Sequence, residues 1–370
     1  MEKEKFHKNA YDMIYLTRCA MDGKKPDPKH LQDLNLEELF EVCEKHTMTA
    51  CVAYALESAG IRDNRFSQAK EKSIRKNVLL DADRKKVLSR LEQEKIWYMP
   101  LKGAIMKDWY PKLGMRQMSD NDILYDGAYR EKVRDIMLEI GFTCEHFGTG
   151  HDDSYYKQPV SNFEMHHALF SVSHAGKAYD YYKDVKERLL KDETNEYGYH
   201  FSIEDFYIYM TAHEYRHYEN RGTGVRSLLD TYVFVKKYGD TVDWDYITAE
   251  MQKLEMADYE QESRQLAMKL FSGQDISQTE QEMLDIYILS GVYGSMEQLV
   301  ERRFSRNQSD SKAVYIFHRL FPSMNQIKVY HPFFYRHKWL IPVLWVYRPI
   351  HGVVAKRKMV SEEIQYLFKK

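Results

Sequence analysis

Arg116-Gln117-Met118-Ser119-Asp120-Asn121-Asp122-Ile123-Leu124 carries a polar run into a short apolar one, with two aspartates at the junction. The alternation of a strand puts Asp120 and Asp122 on one face, a few ångströms apart. Carboxylates held that close repel unless a cation lies between them, and hard divalent ions, magnesium above all, are the usual answer. Upstream, Ile96 to Leu101 is short, apolar and aromatic, as a buried strand is, and it runs straight into Lys102-Gly103. A glycine at that point would let phosphate oxygens approach the amides that open the next helix, expected from Ala104 to Tyr110. A glycine-ended strand ahead of an Asp-x-Asp strand is a layout suited to nucleotides.

Working outward, Asp122 to Tyr125 reads as a strand, and Val133, Ile136, Met137 and Ile140 fall at helical spacing before Gly141. Phe142–Phe147, Ser154–Lys157 and Asn162–Phe170 read as further strands. Together these make a small α/β unit over residues 95–178. Residues 1–94 are helical in pattern, with Leu36, Leu39, Phe40 and Cys43 on one stripe and a charged helix from about Arg65 to Glu94. Residues 179–370 are helical again and end in a basic, aromatic tail. The expected fold is therefore α+β, a small mixed-sheet core between N-terminal and C-terminal helical regions.

Glu164 lies in the run Phe163-Glu164-Met165 and faces away from its apolar neighbours, so in a sheet packed on one side it points towards the aspartate face. It is the expected third acid, placed to complete a metal cage or to take a proton from an acceptor hydroxyl. His166 and His167 follow, one facing each way, and read as core or strand-edge residues.

Pro100-Leu101-Lys102-Gly103-Ala104, Tyr110-Pro111, the stretch from Arg116 to Leu124 and Phe163-Glu164-Met165-His166 together resemble the signature of an uncharacterised bacterial nucleotidyltransferase family of the polymerase-β-like superfamily. His213, His217, Arg226 and Asp230 are similar to that family's helical C-terminal region. The resemblance implies metal-dependent transfer of a nucleotidyl group from a nucleoside triphosphate to a hydroxyl-type acceptor, with release of pyrophosphate. It implies Mg²⁺ or Mn²⁺ held by Asp120, Asp122 and Glu164, and Gly103 at the triphosphate. Lys102, Ala104 and Arg116 join Gly103 as expected nucleotide contacts, with a surface pairing to an acid as the equal alternative for Lys102 and for Arg116, and His213, His217 and Arg226 are candidates to face the cleft. Two departures stand out. Ala104 replaces the usual Ser or Gly and so removes a hydroxyl from the phosphate site, and Asn121 replaces an apolar residue between the acids, where it should alter packing rather than metal binding.

Two readings compete. One is a non-catalytic nucleotide-binding or protein-interaction module acting as a regulator. The other is a zinc hydrolase, because His213-Glu214-Tyr215-Arg216-His217 is a literal His-Glu-x-x-His, with Asp230 available as a third ligand. On a helix this sets two imidazoles one turn apart. The alternative for these histidines is a buried pair bonded to backbone or to Asp230.

Composition narrows the classes further. In 370 residues, 54 Lys and Arg balance 56 Asp and Glu for a net charge of −2, which excludes a wholly basic nucleic-acid coat. The charge is uneven, however. Residues 301–360 hold twelve Lys or Arg and two acids, with Trp339, Trp345 and several Phe and Tyr among them; the expected reading is a pair of packed helices and turns whose Lys and Arg stems cover aromatic surface, and the alternative is an anionic polymer or membrane surface as partner of the tail. Cys19, Cys43, Cys51 and Cys144 show no paired spacing and are expected to be reduced thiols. With no apolar leader and no apolar run long enough to span a bilayer, a cytoplasmic location is expected.

Overall fold

The computed structural model describes residues 3–148, 150–171, 177–220, 222–292, 294, 312–324, 327, 331–355, 357, 361 and 363–365. Of the basic tail, Arg302, Arg303, Arg306, Lys328, Lys356 and Lys358 lie outside these, as do residues 295–311 of the expected run of helices.

Five helices open the chain: α1 (Lys3–Asp22), α2 (Pro28–Gln32), α3 (Leu36–His46), α4 (Thr49–Ser58) and α5 (Asn64–Gln93). Side-chain caps fix the starts of α3 and α5, Asn35 accepting from Glu37 and Glu38 amides and Asp63 from Arg65 and Phe66 amides. The central unit follows as β1 (Tyr98–Pro100), the single-turn α6 (Gly103–Met106), β2 (Asn121–Tyr125), α7 (Arg130–Glu139), β3 (Thr143–His146), β4 (Asp152–Lys157) and β5 (Ser161–His166). After α8 (Lys177–Tyr182) come β6 (Leu190–Lys191) and β7 (Tyr199–His200), then α9 (Ile203–Asn220), α10 (Val225–Tyr238), α11 (Trp244–Lys253), α12 (Ala257–Ser272) and α13 (Gln278–Ser290). Further helices cover Lys312–Leu320, Pro332–Arg336 and Ile341–Ala355. The β6–β7 pair breaks what the pattern reads as helix, because two-residue strands are too short for alternation to register.

The sheet runs β1-β2-β5-β4-β3, mixed as expected, with β2 and β5 parallel and the other pairs antiparallel. One face, formed by Ile123, Tyr125, Tyr155, Phe163 and Met165, packs on Val133, Ile136 and Met137 of α7 and on Val87 and Leu91 of α5. Asn121 also points this way. Its amide donates to the Leu80 carbonyl and its oxygen accepts from Arg84, so it serves packing against α5. The other face is not left open, as a sheet packed on one side would leave it. Met99, Leu101 and Leu124 pack with Phe206, Tyr209 and Met210 of α9, so the sheet is covered on both faces and the functional cleft lies between this second face and α9. A separate core joins α1, α3 and α4 to α10, α12 and α13, through residues such as Leu16, Leu39, Val52, Leu228, Leu266 and Tyr287. Both flanking helical regions therefore share one interior. Among the described residues, no helix is long and apolar enough to cross a membrane.

Candidate functional site

The parallel register of β2 with β5 sets Asp122 directly beside Glu164. The antiparallel register of β5 with β4 then sets His166 beside Asp152 and Glu164 beside Ser154. Because side chains alternate, the same face carries Asp122, Glu164, His166 and Asp152, and Asp120 enters the cluster from the segment before β2. His166 Nε2 lies 2.9 Å from Asp122 Oδ1 and 3.6 Å from Glu164 Oε2. His166 Nδ1 is buried without a hydrogen-bond partner.

Opposite this face stand cations. Lys102 Nζ donates to Asp122 Oδ1 at 3.0 Å and to His213 Nε2 at 3.2 Å. Arg216 Nη2 reaches the same His213 nitrogen at 3.2 Å and His217 Nε2 at 3.4 Å, and among the described residues its guanidinium meets no carboxylate within ion-pair distance. These groups, with Gly103, Tyr209 and Arg226, line a cleft of about 440 Å³.

The charges set the protonation. Burial alone would raise Asp122, but the Lys102 ammonium and the His166 hydrogen bond outweigh it and hold the carboxyl well below its usual range. Burial, and then the charge of Asp122, push Glu164 up to about 7 and Asp120 up to about 6. Burial and the nearby Lys102 ammonium hold His213 neutral. Lys102 itself is shifted upward, burial being overcome by Asp122, Tyr209 and the other acids. Its backbone is at φ +43°, a conformation uncommon outside glycine, at the point where its side chain enters the carboxylate cluster.

Two donor sets have spacing compatible with a metal ion: Asp122 with Glu164 and His166, and His151 with Asp152 and His166, each offering one donor atom per residue within 4.8 Å of the others. His166 belongs to both and was not among the expected site residues. The signal for it was present, since a strand that turns Glu164 to one face turns the residue two further on to the same face. Arg216, His151 and Asp152 reach the cleft from α9 and from the start of β4, which no local spacing reveals.

Among the expected nucleotide contacts, Arg116 and the Ala104 amide are engaged within the protein, while Gly103 lines the cleft. Arg116 is buried and grips Asp230, with Nε to Oδ1 at 2.7 Å and Nη2 to Oδ2 at 3.0 Å, so those donors are committed to an internal ion pair. Gly103 is closely packed, since a Cβ there would sit 2.6 Å from Arg116 Nη1 and 2.8 Å from Met118 Sδ and those side-chain ends would have to shift. The amides expected to meet phosphate are used within the turn: Ala104 donates to Leu101, and Ile105 and Met106 donate to Lys102. Arg226 lines the cleft while donating to Thr47 Oγ1 and the Gln117 carbonyl.

The His-Glu-x-x-His string does not build a zinc site. His213 Nε2 is the acceptor for two cationic donors, and Glu214 turns away to accept from Tyr259 at 3.0 Å and Tyr287 at 2.8 Å. Asp230 is taken by Arg116 and by Tyr110, so it is neither a third ligand nor a partner of the histidines.

A family model described as an uncharacterised nucleotidyltransferase matches residues 32–272. Neither a curated protein nor a solved structure matches the chain.

Two outcomes are expected. Asp230→Ala strands a buried guanidinium and should cost about 3–5 kcal/mol of stability in denaturant titration, whereas a phosphate-facing Arg116 would leave stability nearly unchanged. Glu164 and Asp120 have folded pKa values above their unfolded ones, so their contribution to stability is full at acid pH and is lost as pH rises through about 6 to 7. Asp122 has the opposite sign and contributes only above its unfolded value. The melting temperature of the metal-free protein should therefore fall between about pH 4 and about pH 7 and level off above that, and Glu164→Gln should flatten the fall. An unchanged slope would put the titration at buried Glu214, which is also pushed up to about 7.

Proposed function

Since the chain belongs to the uncharacterised nucleotidyltransferase family, we propose that its cleft binds a nucleoside triphosphate with a divalent cation and transfers the nucleotidyl group to a hydroxyl-type acceptor. The observation that carries this reading is the juxtaposition of Asp122, Glu164 and His166 with Lys102 and Arg216 across a single cleft. One wall suits a metal and the other suits phosphate.

The two carboxylates suit a hard divalent ion and the donor atoms lie close together, whereas the buried imidazole of His166 suits Mn²⁺ better than Mg²⁺. Asp122 and His166, with Glu164 across the register and Asp120 beside them, would hold Mg²⁺ or Mn²⁺. When bound there, such an ion would supply charge neutralisation of the phosphates and polarisation of the α-phosphoryl group. Arg216 and Lys102 bind phosphate oxygens opposite it, Arg216 being the cation that no described carboxylate neutralises. In the transfer, the acceptor hydroxyl oxygen bonds to the α-phosphorus and the bond from that phosphorus to the β-bridging oxygen breaks. Pyrophosphate leaves with that electron pair. Glu164, partly exposed, takes the hydroxyl proton.

The Lys102–Asp122 ion pair favours one rival, a non-catalytic member in which the ammonium stands permanently in place of a metal. The two are separated by a panel of the four nucleoside triphosphates with Mg²⁺ or Mn²⁺, read by mass shift of candidate acceptors and of the protein. Asp122→Asn keeps an oxygen for Lys102 and His166 but removes the charge, and should lower transfer about a hundredfold or more. Glu214→Gln should retain it. A zinc hydrolase gives the reverse pattern, and the non-catalytic member binds nucleotide with no mass shift in any arm.

A further inference from the structure

Between Ser311 and Val360 the chain has nine Lys or Arg and no Asp or Glu. The same region concentrates exposed apolar surface. Of nineteen large apolar side chains exposed among the described residues, twelve lie between Ile316 and Ile364, while the other seven are scattered from Tyr11 to Tyr246. Single exposed apolar residues need no explanation, but a contiguous group of them does.

The helix Ile341–Ala355 shows why this surface is unusual. It buries one stripe, Ile341 and Leu344, against Ile327, Phe334 and Tyr335. Other sides carry apolar residues too: Val343 is 55% exposed, Val346 63% and Trp345 37%. Just before it Trp339 is 77% exposed, and Phe333 is 55% exposed on the preceding helix. A helix with apolar residues on more than one side belongs in a largely apolar medium, yet among the described residues this one is covered on the side of Ile341 and Leu344, with Trp345 edge-on to Phe321, and leaves Val343 and Val346 outward. At about 1.5 Å per residue its fifteen residues reach about 22 Å, short of the roughly 30 Å of a bilayer core, and Pro349 interrupts it. Exposed Arg336, Lys338 and Arg357 flank the patch.

We propose that this face, formed by Phe333, Trp339, Val343, Trp345 and Val346 with its flanking cations, docks the protein on the surface of an anionic lipid bilayer. The aromatic rings suit the boundary between headgroups and acyl chains, the valines suit the acyl chains, and the cations suit lipid phosphate. Charge decides against a second copy of the chain, since two such faces would bring positive against positive. A nucleic acid would use the rings and the cations but gives the valines nothing to stack on.

The test is co-sedimentation of the full chain with vesicles of phosphatidylcholine alone or with about 30 mol% phosphatidylglycerol. Because the residues changed are exposed, Val343→Asp with Val346→Asp should leave the melting temperature unchanged, which is measured alongside. Binding is expected only to the anionic vesicles, weakened at least roughly tenfold by the double substitution and weakened by salt near 0.5 M, at roughly a 4 Å screening length. Equal sedimentation of both proteins, or none with anionic vesicles, overturns the proposal. So does a concentration-dependent dimer abolished by the substitution, or RNA binding that the substitution leaves intact with no vesicle binding. Nucleotide transfer is not read in this experiment, so its outcome is independent of the catalytic reading.

Discussion

Placing Asp122 beside Glu164 on adjacent parallel strands creates a like-charge conflict, and the rest of the site answers it. Lys102 and His166 both reach Asp122 Oδ1 and hold that carboxyl down, while burial and then the charge of Asp122 push its two neighbours up. Asp122 stays ionised, while Glu164 and Asp120 are pushed towards neutrality. Two kinds of carboxylate in one cluster, one fixed as an anion and one ready to exchange a proton, follow from this register and its counter-charges.

Lys102 links the sheet to the helices. Its ammonium touches β2 through Asp122 and α9 through His213, while its backbone accepts amides from the single-turn helix that follows. Such a contact is worth keeping at the cost of a positive φ, a strain that in a non-glycine residue is usually borne where function over-determines the backbone. A cation arriving with a triphosphate would enter a cluster already holding an ammonium, so binding and the position of Lys102 are coupled. The Arg116–Asp230 pair supports the same region, with the Arg116 and Met118 side-chain ends packed closely over Gly103.

The sheet and the acids were legible because they follow from short-range rules. A period of two places Glu164 opposite Phe163 and Met165, and apolar runs ended by glycine mark strand and helix. Asn121 was readable for the same reason, as a residue between two acids that must face the other way. His166 carried the same signal and was read as a core residue. What local rules miss is partnership across the chain. Arg116 resembles a phosphate contact until Asp230, from α10, closes on it, and Glu214 resembles a general base until two tyrosines from α12 and α13 claim it. The glycine signal pointed to open amides, and the tight turn after Lys102 had already used them.

The central claim is that the acidic wall and the cationic wall act together on a metal-bound triphosphate. Calorimetric titration of the full chain with each nucleoside triphosphate, with Mg²⁺ or Mn²⁺ and then with a chelator, tests it most directly. At least one triphosphate should bind, and its affinity should fall by about tenfold or more both on chelation and in Asp122→Asn. Binding indifferent to the metal and to Asp122, or no binding of any triphosphate with either metal, would contradict the account.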